Sequence, residues 1–182
     1  MVQEHNNLNT VATEIEKKEL EADGSVTPLM YAQLLAIYLY QNDLCNAKFL
    51  WKRIPNQAKA ENPELAHVWS VGKAMWQRDF PAVYTALNAT QWTDNVAEIM
   101  KAVHQEVVKR ATQLVCRAYT SVSINTAAAL IGTTPEAIAQ QKGWRVEGNM
   151  VSPPHPSPPA PTLTSSEEQL SKLTDFVSFL EN

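Results

Sequence analysis

Glycine, cysteine, clustered histidine and long apolar runs are all scarce in this chain, and each shortage removes a class of protein. Five glycines stand in 182 residues, and none belongs to a Gly-rich loop of the kind that cradles phosphates. Two cysteines, Cys45 and Cys116, are too few for a disulfide scaffold. Both fall in apolar-periodic stretches and read as buried structural thiols. The longest apolar run, Leu34 to Tyr40, is far short of the roughly 20 residues a membrane helix needs. The start, Met1-Val2-Gln3-Glu4-His5-Asn6-Asn7, has no basic segment followed by an apolar one, so the expectation is an intracellular soluble protein.

Catalytic signatures are equally thin. A zinc hydrolase needs clustered ligands that leave one coordination position open for water. The four histidines, His5, His67, His104 and His155, are scattered, with no His-x-His or His-Glu-x-x-His. Nothing flanking Cys45 or Cys116 suggests a Cys–His nucleophile. We therefore expect no enzyme, no metal and no cofactor. The net charge of −4 speaks against a large nucleic-acid footprint. Charged residues make up only 19% of the chain, which suits a protein that covers part of its surface with partners.

What the sequence has in quantity is helical periodicity. Apolar residues recur at i, i+3, i+4 and i+7 over 11–22, 28–41, 43–54, 63–77, 79–89 and 94–119. Thr27-Pro28, Asn62-Pro63 and Thr134-Pro135 each set a capping residue before a proline at the first helical position. Gly24, Gly132, Gly143 and Gly148 fall between periodic segments as helix stops and turns; only Gly72 lies inside one. Trp51, Trp69 and Trp76 lie on the apolar faces and are assigned to the core. Gln41-Asn42-Asp43-Leu44 and Gln77-Arg78-Asp79-Phe80 are similar tight turns 36 residues apart, near the period of tetratricopeptide-type hairpins.

The pattern changes after residue 119. Ser121 to Ile124 is β-branched and alternating. Asn125 is expected to cap a helix over 126–131, and Thr134 a second over 135–142. Trp144-Arg145-Val146 and Asn149-Met150-Val151 flank Glu147-Gly148 as a hairpin. Strand, helix, turn, helix and two-stranded wing is the order of a winged helix. Residues 153–161 then hold six prolines, an extended spacer of about 3.1 Å per residue. Beyond it, Leu170, Leu173, Val177 and Leu180 form an apolar stripe with Phe176 beside it. So short a helix is marginal alone in water, so it needs a surface to pack on.

The predicted fold is mostly α: a helical-hairpin stack of tetratricopeptide or HEAT type, a winged helix with a small antiparallel sheet, and a C-terminal bundle helix. The segments are 1–26, an N-terminal extension; 27–119, the stack; 120–151, the winged helix; 152–164, the linker; and 165–182, the terminal helix. That order resembles the domain shared by proteasome-lid, signalosome and initiation-factor-three subunits. Leu50-Trp51-Lys52-Arg53-Ile54-Pro55, Trp69-Ser70-Val71-Gly72 through Trp76-Gln77-Arg78-Asp79-Phe80-Pro81, and Leu173 through Asn182 sharpen the likeness to the smallest-subunit family of the COP-nine signalosome.

The resemblance implies a non-catalytic scaffold in the complex that removes Nedd8 from cullins of cullin–RING ubiquitin ligases. It implies a hetero-oligomer with the other signalosome subunits, the third above all, in cytoplasm and nucleus; charge and the short apolar runs add the expectation of no nucleic-acid or membrane partner. The implied contacts are a helical bundle, to which Leu170, Leu173, Phe176, Val177 and Leu180 are assigned, and winged-helix edges, to which Val122, Ile124, Val146 and Met150 are assigned. The competing readings are a winged-helix nucleic-acid binder and an adaptor of another lid-like complex. The stretch 135–142 has one Glu and one Lys, and Arg145 is offset by Glu147, so a DNA-reading helix lacks its cations. Titration with duplex DNA at physiological salt is expected to show no tight binding; tight binding with a steep salt dependence would reverse this reading.

Overall fold

The computed structural model describes residues 2–21, 27–140, 143–154 and 166–181, with side chains from residue 8 onward. From residue 155 the expected linker lies outside the described residues. Seven helices come first: α1 (Val2–Glu21), α2 (Pro28–Gln41), α3 (Leu44–Arg53), α4 (Asn56–Glu61), α5 (Pro63–Gln77), α6 (Phe80–Asn88) and α7 (Asp94–Ala118). There follow β1 (Val122–Ser123), α8 (Ile124–Ile131), α9 (Pro135–Ala139), β2 (Arg145–Glu147), β3 (Met150–Ser152) and α10 (Ser166–Leu180). The protein is mostly helical, with one small antiparallel sheet in the order β1-β3-β2.

Helix α2 is the centre of the larger core. The sequence pattern offers one apolar face, yet every residue from Leu34 to Leu39 is buried. The reason is that α1, α3, α5 and α7 all pack on it, and a helix enclosed on all sides is apolar all round. Gly72 explains its own place in α5: a Cβ there would stand 3.1 Å from Cδ2 of Leu39 and 3.3 Å from the Trp69 ring. The two tight turns have one geometry. Asn42 and Arg78 are both left-handed, at φ 62° and 60°. Asp43 and Asp79 then cap α3 and α6, accepting from the backbone N–H of Asn46 and Ala82 at 3.0 and 3.1 Å.

Several boundaries differ from the sequence expectation. Helix α1 begins well before residue 11. Helix α4 was not anticipated; its six residues, closed in by Pro55 and Pro63, are too few to display a period. Ser123, not Asn125, caps α8: its Oγ accepts from the Thr126 N–H at 3.1 Å, and Asn125 lies inside the helix. Helix α9 ends at Ala139, short of residue 142, although Thr134 caps it as expected. Thr27, by contrast, makes no side-chain cap bond.

The long helix α7 joins two cores. Val96, Met100, Val103 and Val107 enter the first, while Val115 enters a second with Val122, Ala127, Ala128, Ile131, Ile138, Trp144 and Val151. Its start is pinned by a buried acid from α5. The Glu64 carboxylate accepts from the Thr93 N–H at 2.9 Å and from its Oγ1 at 2.9 and 3.1 Å. A carboxylate there also faces the positive end of the helix dipole. Replacing Glu64 with Ala should destabilise the protein by about 1–2 kcal/mol, the loss of a helix cap. Urea unfolding checks this: the midpoint should fall with the slope unchanged, and Glu64→Gln should restore part of the loss.

Candidate interaction surfaces

The joint between the two cores is tightly specified. Tyr84 of α6 donates its hydroxyl to the Leu130 carbonyl of α8 at 3.2 Å. Gly132 follows α8 at φ +75°, and a Cβ on it would come within 2.7 Å of the Tyr84 ring. His104 of α7 meets the same ring edge-on, with centroids 5.8 Å apart. Burial pushes the Tyr84 phenol up to about 12.

Helix α10 is amphipathic and wholly exposed. Glu167 and Glu168 sit in its first turn, where the helix dipole favours carboxylates. Leu170, Leu173, Phe176, Val177 and Leu180 are all exposed, as is Phe179, which the sequence reading did not single out. At about 100° per residue these six cover about half the helix circumference. Phe179 stands three residues after Phe176 and so also satisfies the i, i+3 spacing, a signal that could have pointed to it.

The residues assigned to sheet edges divide into two pairs. Val122, in edge strand β1, is buried opposite Val151, and Ile124, at the start of α8, packs on the second core. Val146, in the other edge strand β2, and Met150 in β3 are 41% and 43% exposed. Val122, Val151 and Val146 form one cross-strand row, and directly opposed residues share a sheet face.

The chemistry-bearing side chains are dispersed. Among the described residues no group of three His, Cys, Asp or Glu is arranged to hold a metal ion. Against the expected burial, Cys45 is exposed, because Leu44, Ala47 and Leu50 form the buried side of α3, and Cys116 is half-buried. Burial raises the Cys116 thiol, which lowers its thiolate fraction and so its nucleophilicity. Among the described residues, no helix is long and apolar enough to cross a membrane.

The tryptophans depart from the expected core placement. Trp51 and Trp69 are half-buried at the core's edge and stack on each other at 5.5 Å and 9°. Trp76 is 45% exposed. Ammonium groups lie over two of the rings: Lys48 Nζ is 4.4 Å from the Trp76 centroid, and Lys59 Nζ is 4.7 Å from that of Trp51. Both cations are within cation–π range.

Comparison with known proteins supplies a second line of evidence. The model of the CSN8/PSMD8/EIF3K family matches residues 25–162. A Danio rerio protein named COP9 signalosome complex subunit 8 is 45% identical, over 93% of this chain and 92% of its own. Proteins of that name from Xenopus laevis and Arabidopsis thaliana are 43% and 31% identical. Those alignments cover 100% and 84% of this chain, and 96% and 79% of theirs.

The Tyr84 joint makes a pH prediction. Folding favours the neutral phenol, so the folded pKa of about 12 lies above the ordinary 10. The stability this contributes is present in full below pH 10 and is lost as pH rises towards 12. Thermal melts across that range should fall more steeply for the native chain than for Tyr84→Phe, whose own loss at neutral pH should be about 1 kcal/mol, one hydrogen bond.

Proposed function

The chain belongs to the CSN8/PSMD8/EIF3K family, and on that premise we propose that it is a non-catalytic scaffold subunit of the COP9 signalosome. The complex it serves removes Nedd8 from cullins, and this subunit contributes contacts, not chemistry. Its partners are other signalosome subunits, the third foremost, in cytoplasm and nucleus. It does not act through nucleic acid or membrane.

In this reading 27–119 is a stack of helical hairpins, and 120–151 is a winged helix that pairs through its sheet edges. Two features support it: the repeated turns at Asn42 and Arg78, and the order β1-α8-α9-β2-β3. The short helix α9 bears Glu136 as its sole charge, which favours a protein partner over DNA. The segment 1–26 is an N-terminal extension, with Ala12 and Ile15 buried where α1 packs on α2. The tether, expected over 152–164, starts after Ser152, which is the last residue of β3, and 165–182 enter a multi-chain helical bundle.

One observation carries the proposal: α10 exposes Leu170, Leu173, Phe176, Val177, Phe179 and Leu180 together. Burying each would contribute roughly 1.5–3 kcal/mol, and half a circumference of apolar surface needs more than one neighbouring helix to cover it. Val146 and Met150 are each exposed on the sheet, on opposite faces of it, and offer smaller apolar contacts. The test is Leu173→Asp with Leu180→Asp in the tagged full chain. Recovery of the other subunits should drop by at least about tenfold, equivalent to about 1.4 kcal/mol, with circular dichroism unchanged because both side chains are exposed. Undiminished recovery of the intact complex would overturn the bundle assignment.

A further inference from the structure

One stretch of the chain has a positive excess that the net charge conceals. Residues 44–78 carry six cationic side chains, Lys48, Lys52, Arg53, Lys59, Lys73 and Arg78, against two acids, Glu61 and Glu64. The rest of the chain therefore carries the entire negative excess. Most of the neighbouring carboxylates are already engaged. Glu19 pairs with Arg53 at 2.7 Å and Glu106 with Lys109 at 3.1 Å. Asp43 and Asp79 cap helices, Glu64 holds Thr93, and Glu61 accepts from Gln57. Among the described residues, Lys48, Lys52, Lys73 and Arg78 make no ion pair.

Those cations surround exposed apolar surface. Lys48 and Lys52 are one turn apart on α3, with Phe49 between them 60% exposed. Lys73 and Trp76 are one turn apart on α5, and the Lys48 ammonium on the Trp76 ring ties the two helices into one face. At its end is an open pocket of about 70 Å³, lined by Met75, Phe80, Val83 and Val107, with Asn42, Arg78 and Arg110 completing its lining. Its lining includes no acid. Arg110 is held in place by donating to the Tyr40 carbonyl at 2.6 Å. The volume is well below the ~300–1,000 Å³ of small-molecule sites, so it suits one apolar side chain and not a cofactor.

We propose that the α3–α5 face, formed by Lys48, Phe49, Lys52, Lys73, Trp76 and Arg78, docks an acidic peptide segment of a partner protein, with one bulky apolar side chain of that segment seated in the adjoining pocket. Unpaired cations match the carboxylates and set the orientation of approach. Exposed Phe49 and Trp76 supply the apolar contact, in the manner of aromatic anchors at protein interfaces. A single-stranded nucleic acid would ask for successive rings open to stacking. Here Trp51 and Trp69 are stacked on each other, and Lys48 covers part of Trp76.

The face is independent of α10 and of the sheet edges, so its test is separate from that of assembly. A short fluorescein-labelled peptide of Asp and Glu around a central Phe-Leu pair would be titrated into the full chain by fluorescence polarisation. Saturable binding is expected, weakening as salt rises. Replacing the peptide's acids with Asn and Gln should weaken it at least about tenfold. Lys48→Glu with Lys52→Glu and Lys73→Glu should do the same, and Trp76→Ala should lower affinity by a comparable factor. Circular dichroism melts of each variant would establish that it folds. Absence of peptide binding, equal binding of the neutral peptide, or affinity unchanged by the charge reversal would overturn the proposal. Tighter binding of a labelled oligothymidylate that displaces the peptide would overturn it in favour of nucleic acid.

Discussion

One unbroken helix sets the geometry of this protein. Helix α7 runs 25 residues and contributes side chains to both hydrophobic cores. A helix of that length extends about 37 Å at 1.5 Å per residue, with no flexible point unless its hydrogen-bond ladder is broken. The first core and the small sheet are thereby held in one relation. Two further constraints reinforce it. Glu64 fixes where α7 begins, and the Tyr84 contact with Leu130 and Gly132 fixes how the second core sits beside the first. The proposed scaffold role would draw on this property, because contact surfaces at different places are useful only if their separation is constant.

The division of surface follows from that frame. The enclosed helix α2 and the faces of α5 and α7 packed on it bury most of the large side chains. Two exposed surfaces among the described residues are of opposite character. Helix α10 is acidic in its first turn and broadly apolar on one side. The face of α3 and α5 is cationic, with aromatic rings partly covered by lysines. Lysine stems can shield apolar surface while the ammonium stays in water, so the second surface remains compatible with solvent in a way that α10 is not. That contrast fits the two roles proposed above, assembly through α10 and reversible docking through the α3–α5 face.

Much of the fold was legible before any coordinates. The limits of α2 and α5 agree with their periodic stretches because proline marks each start and a left-handed residue ends each. The stripe of α10 could be read because it repeats every three or four residues. Helix α4 could not, since six residues carry no period. Ser123 and Asn125 are both good capping residues, and only the emerging chain direction from β1 decides which hydroxyl or amide reaches an N–H. The tryptophans were placed in the core because their spacing suits it, but spacing cannot tell the centre of an apolar face from its margin.

The sequence by itself determined the helical character, the change of pattern after residue 119, the poverty of catalytic groups and the apolar terminal helix. These rest on short-range chemistry: period, caps and turn residues a few positions apart. Only the tertiary structure decided which apolar and charged groups stay open. Glu64 meets Thr93 from 29 residues away, Tyr84 meets Leu130 from 46, and Lys48 covers Trp76 from a different helix. The physical reason is that burial and ion pairing depend on which elements pack against one another. That choice is made by the whole core at once and leaves no periodic trace along the chain.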